Sequence, residues 1–175
     1  MENLTINNAV YEPKLNFKFY RQTRDDKELQ DDHQDGFSAL IGALLDEDVD
    51  AIVAAYYHSL AWYRRNQPSE SDVEEALEST VFASDEATDK AFDDILDALQ
   101  ANDFLARKLS QYVKDSDKNA DMVQKQIDQT KDEDKASNLA IGLKQLTAET
   151  NKLRDLLKSN ESSPKPDDAD LHQQN

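Results

Sequence analysis

The chain is predicted to be mainly α: a small helical bundle carrying an N-terminal β-hairpin and a C-terminal helical arm. Three observations point there. Val49, Ile52, Val53, Tyr56, Leu60 and Tyr63 recur at steps of three and four, with Tyr57 and Ala61 widening the stripe, which is the pattern of a helix buried on most of its circumference. Short alternating runs at 4–6 and 9–11 flank Asn7-Asn8, a two-residue turn whose asparagines tolerate positive φ. Beyond residue 121, leucines return at a heptad spacing in an otherwise polar stretch.

In chain order, the hairpin is followed by Pro13, which limits strand pairing. Leu15, Phe17 and Phe19 then alternate with polar residues as a half-buried strand would, or else a helix begins at Asn16. Residues 21–35 are almost devoid of apolar side chains and read as a solvated connection with at most a helical turn. Phe37, Leu40, Ile41, Leu44 and Leu45 make a short amphipathic helix that ends at Asp46-Glu47-Asp48. The central helix is expected over 48–65, capped by Asp48 and closed by Arg64-Arg65 and Pro68. Ser71 and Glu74 match a capping box for the next helix, with Val73, Ala76, Leu77 and Val81 inward. Ser84-Asp85 opens a helix whose face is Ala91, Phe92, Ile95, Leu96 and Leu99; Asn102 or Asp103 caps another, with Phe104, Leu105, Leu109, Tyr112 and Val113 inward. Residues 115–121 read as a polar turn, which places the globular unit at 1–114, a helical arm at 115–158 and a disordered tail at 159–175.

The arm carries Leu139, Leu143, Leu146, Thr150, Leu153 and Leu157 at steps of 4, 3, 4, 3 and 4. So narrow a seam needs a partner, either the globular unit or a second chain; in a parallel pair, Glu149 and Arg154 stand at g and e positions able to bridge.

Composition excludes several functions. With a net charge of −17 and a pI near 4.4, the chain lacks the basic footprint that nucleic acid or an anionic membrane requires. No apolar run reaches the length of a spanning helix and no signal peptide opens the chain, so a soluble, intracellular protein is expected. Cysteine is absent. His33, His58 and His172 have no ligand-spaced partner, and Asp115-x-Asp117-x-Asn119 lacks the glycine and glutamate of a calcium loop. No catalytic, cofactor or metal site is read, and the chain is not expected to be an enzyme.

The succession Leu4-Thr5-Ile6-Asn7, Tyr11-Glu12-Pro13-Lys14 and Asn16-Phe17-Lys18-Phe19 resembles the N-terminus of siphophage tail assembly chaperones. Asp35-Gly36-Phe37, Ala55-Tyr56-Tyr57-His58-Ser59-Leu60-Ala61, and Pro68-Ser69 followed by Val73-Glu74-Glu75-Ala76-Leu77 continue the likeness in the same order, over about residues 1–112. Asn7-Asn8 departs from it, standing where a glycine is expected. The resemblance implies a hairpin leading into a small helical domain. It also implies a non-enzymatic function, keeping the long helical tape measure protein soluble and recruiting the major tail tube protein, in the host cytoplasm and outside the mature virion. With that implication, the aromatic surplus on the helices marks Tyr57, Trp62, Tyr63 and Tyr112 as candidate client contacts. An acidic helical adaptor dimerising through its C-terminal helix, by Leu139, Leu143, Leu146, Leu153 and Leu157, is the alternative from another class; a hydrolase or metal enzyme would need carboxylates that converge in the fold.

Overall fold

The computed structural model describes residues 1–30 and 34–161. Strands β1 (Leu4–Ile6) and β2 (Ala9–Tyr11) pair antiparallel, with Leu4 opposite Tyr11 and Ile6 opposite Ala9. Asn7 and Asn8 both have positive φ, at 50° and 64°, the signature of the type I′ turn that matches strand twist. Leu4 and Ile6 are buried. Two strands are marginal alone, and this hairpin is held from outside: β1 packs on helix α4 (Glu70–Glu78), and the Glu2 amide donates to the Tyr56 hydroxyl at 3.2 Å.

Helix α1 (Phe17–Asp25) begins at Asn16, whose side chain accepts from the Lys18 and Phe19 amides. The helical alternative therefore holds for 15–19, and α1 runs on into the stretch expected to be a solvated connection. Phe19, Tyr20 and Thr23 form its buried face, a stripe hidden in the sequence because its third member is polar. Helix α2 (Gly36–Leu45) is capped by Asp35 and ends in a Schellman motif, the Asp48 amide reaching the Ala43 carbonyl at 2.9 Å and Glu47 the one of Leu44 at 3.3 Å.

The central helix is shorter than predicted. Helix α3 (Val49–Ser59) stops at Ser59, and Ala61–Asn66 continues as a 3₁₀ segment. The cause lies outside the helix: the Ser59 carbonyl accepts from the Lys14 amide at 3.0 Å, and the Ala61 carbonyl accepts from the Lys18 ammonium. Acceptors that would propagate the helix are thus already engaged. Arg64 pays for the exit with φ 61° and ψ −115°, a conformation suited to glycine and costing another residue roughly 1–3 kcal/mol. Arg64→Gly should therefore raise stability by about 1 kcal/mol, after about 0.5–1 kcal/mol is lost to the freedom of unfolded glycine. A denaturant melt checks this, with Arg64→Ala, which keeps the strain, expected to gain nothing.

Helix α4 starts two residues earlier than read. Its capping box joins Ser69 to Asp72, not Ser71 to Glu74: the Asp72 amide donates to Ser69 Oγ at 3.2 Å and the Ser69 amide to Asp72 Oδ2 at 3.1 Å. The bonds from Ser69 hold the Asp72 carboxyl below its ordinary range. Both serines fit the motif, and Ser69 follows directly on Pro68, the first break after the central helix. Helix α5 (Asp85–Ala101) is capped by Ser84 and helix α6 (Asp103–Gln129) by Asn102, as the sequence indicates.

Helix α6 passes through residues 115–121 without a turn, correcting the break expected there. Helix α7 (Glu133–Glu161) supplies the reason by lying antiparallel along it: Arg154 bonds both Asp117 carboxylate oxygens, at 2.7 and 2.9 Å. Ser116 is buried beneath this packing. The core is one apolar cluster drawn from the hairpin, α1 to α6 and Leu153 of α7. The tail expected at 159–175 lies outside the described residues except for the end of α7, and His33 and His172 lie outside them too.

Candidate binding surface

The four aromatic residues singled out from the sequence are each half-buried, but they do not share one surface. Trp62 and Tyr63 stand together on the 3₁₀ segment, ring centroids 4.0 Å apart, and both grip Glu12: Trp62 Nε1 donates to its carbonyl and its amide donates to the Tyr63 hydroxyl, each at 3.0 Å. Tyr11 meets Tyr63 edge-on at 4.9 Å, and the Lys14 ammonium sits 4.1 Å from the Trp62 ring. These contacts fasten the segment after the hairpin to the end of α3. Tyr57 lies beside His58 against the core.

His58 itself is buried, with Nε2 at 2.9 Å from Asp26 Oδ2 and Nδ1 without a protein partner. Burial depresses its pKa, and Asp26 offsets that only in part. Neutral imidazole donating to Asp26 is a structural strut between α3 and the end of α1.

Tyr112 belongs to a different face. Its hydroxyl lies near Gly42 of α2, and burial together with the carboxyls of Glu149 and Asp46 pushes its pKa up. It lines a groove of about 610 Å³ between the α1–α2 pair and the α6–α7 pair, whose walls are Tyr20 and Phe37 on one side and Leu146 on the other. Lys108, Gln111, Asp115, Lys118 and Met122 line it from α6. These residues follow steps of three and four, so one face of α6 lines the groove over roughly 21 Å, and Phe104 continues that face one turn beyond it.

At the N-terminal end of that face stands a ring cluster. Phe104 meets Phe17 at 5.4 Å and Tyr20 at 5.2 Å, Tyr20 meets Phe37 at 5.1 Å, all edge-on, and the Lys108 ammonium lies 4.8 Å from the Tyr20 ring. Phe17 is 61% exposed, and Met122 at the far end is 54% exposed. Apolar side chains left open at both ends of a charged-rimmed helical face are what an amphipathic helix binds. The sequence reading placed Tyr112 here but missed Phe17, Phe104 and Met122. Phe17 was legible once Asn16 is taken as the cap, since it then stands one turn before Tyr20 at the edge of the buried stripe, its ring 6.2 Å from that of Tyr20.

The heptad seam is engaged within the chain. Leu153 is fully buried in the core and Leu157 half-buried against it; Leu146 closes the groove, and Leu139 and Leu143 line a cleft of about 510 Å³ with Val123 of α6. Arg154 pairs with Asp117, and Glu149, its pKa raised by burial and by Asp46, faces α2. The side chains suited to bridging two chains thus have partners in this one. Asp115, Asp117 and Asn119 are helical, which no calcium loop is, and among the described residues no three acids or histidines are placed to hold a metal. No helix among them is long and apolar enough to cross a membrane.

A family model described as phage tail assembly chaperone protein, TAC, matches residues 3–114, well over half of the chain. No curated protein and no solved structure matches.

Proposed function

Because the chain belongs to the phage tail assembly chaperone family, we propose that it keeps the tape measure protein soluble while the tail is assembled and helps to recruit the major tail tube protein to it. The role is non-enzymatic, exercised in the host cytoplasm, and the chaperone is left out of the mature virion. The observation that carries this reading is the groove along α6, with Met122 exposed within it and Phe17 exposed in the ring cluster at its N-terminal end. A tape measure protein is a long helix with apolar faces, and a groove of this form takes such a helix one stretch at a time. The net charge of −17 then faces water and keeps the complex dispersed. Of the aromatic candidates, Tyr112 contacts the client, while Tyr57, Trp62 and Tyr63 act by holding the hairpin and α3 in place. The arm works in cis, as the wall of the groove, which speaks against an adaptor that dimerises through it.

Co-expression tests the proposal. A tape measure protein that pellets alone should move to the soluble fraction with this chain, and at least tenfold less of it should do so with the Phe17→Asp, Met122→Asp double variant, whose exposed substitutions leave the core intact. A client that stays in the pellet, or that is rescued equally by the double variant or by an unrelated acidic helical protein, overturns it.

A further inference from the structure

A further cleft, of about 480 Å³, lies between the start of α3 and the start of α5. Its floor is apolar: Phe92 is buried, Phe82 half-buried and Val49 48% exposed. Its rim is acidic, with Glu47, Asp85 and Asp89; Glu47 is paired with Lys152 at 2.7 Å, which leaves Asp85 and Asp89 as the acids turned to an incoming cation. Helix capping explains part of that charge, since Asp85 lies in the first turn of α5. It does not explain Asp89, one turn further on, or an open valine and phenylalanine between the acids.

We propose that this cleft docks a cationic amphipathic helix of another protein, its apolar side chains seated on Val49, Phe82 and Phe92 and its lysines or arginines over Asp85 and Asp89. Charge complementarity selects this occupant. A second copy of the chain brings a further −17 to an already negative rim, and the chain's own residues 162–175 hold one lysine against three aspartates. The field of the whole molecule steers cations inward, while the apolar floor gives affinity and distinguishes a helix from a free ion. The inference is independent of the α6 groove and of what that groove holds, and it gives the chain two docking surfaces of different chemistry.

The probe is a fluorescent fourteen-residue helical peptide of leucine and lysine, with a leucine–glutamate peptide of the same pattern as its counterpart. Titration into the full chain should give saturable anisotropy at micromolar concentrations for the first and none for the second. Asp85→Lys with Asp89→Lys should weaken binding at least tenfold, and Asp121→Lys with Asp128→Lys, which changes net charge equally on α6, less than twofold. Amide resonances of Val49, Phe82, Thr88 and Asp89 in the unmutated chain should shift with the peptide, a readout that no variant's folding can confound. Equal weakening by both double variants, or shifts confined to other residues, overturns the proposal.

Discussion

Gly36→Ala should destabilise the protein by about 3 kcal/mol, the upper part of the overpacking range, and lower its melting temperature by on the order of 10 °C for a chain of this size. Gly36 is buried at the first turn of α2, where a Cβ would stand 2.2 Å from the Thr23 carbonyl oxygen, 3.1 Å from that of Asp26 and 3.2 Å from Leu29 Cβ. Two of the three obstacles are backbone, so no side-chain rotation relieves them and α1 must move off α2. That movement would pull apart the Tyr20–Phe37 contact at 5.1 Å and the Phe19–Phe37 contact at 6.4 Å, and so disturb one wall of the α6 groove. Helix propensity opposes this, favouring alanine by about 1 kcal/mol, and the sign is what makes the measurement decisive. Gly142→Ala in α7 has nothing within 4 Å of the added carbon and should stabilise by up to about 1 kcal/mol. Thermal melts of the two variants in opposite directions are expected; a shared upward shift would mean that α1 and α2 do not approach as closely as described.

Those parts of the fold whose signals are local were legible in the sequence. Asn7-Asn8 announced the I′ turn, Ser84 and Asn102 announced the starts of α5 and α6, and the five-residue face of α5 is the one buried. What stayed hidden depends on partners distant in the chain. Nothing near Ser59 says that its carbonyl will be taken by Lys14, so the stripe through Tyr63 read as one helix. Nothing in 115–121 says that α7 will cover Ser116 and give Asp117 an arginine, so polar residues read as a turn. The groove was illegible for a related reason: its α6 face runs through Lys108, Gln111, Asp115 and Lys118 before it reaches Met122, and no hydrophobic period marks it. The family resemblance was legible because it rests on short ordered motifs of the hairpin and the following helices, the region that the family model matches.

Leu153→Asp should release α7 from the rest of the molecule. Leu153 is fully buried and is the one α7 residue in the buried core cluster, with Leu156 and Leu157 packed at its edge. A carboxylate there has no cation within the apolar cluster, and burying it costs more than the contact it replaces, by several kcal/mol. The helix can avoid that cost by leaving. On departure it gives up the Gln100 bond to the Leu156 carbonyl, the Lys152–Glu47 pair and the Arg154–Asp117 pair, but the two exposed pairs are each worth less than about 1 kcal/mol and do not hold it. Hydrogen exchange should therefore show α7 losing protection along with the C-terminal half of α6, while β1, α2, α3 and α5 keep theirs. Leu139→Asp, at the open end of the same seam where the side chain is only half-buried, should leave protection near Leu153 intact. Mass separates this from pairing between chains. With the seam engaged in cis, both the unmutated chain and Leu153→Asp should scatter light as monomers; a dimer that becomes a monomer on Leu153→Asp would show that the seam joins two chains, and would remove α7 as the wall of the groove.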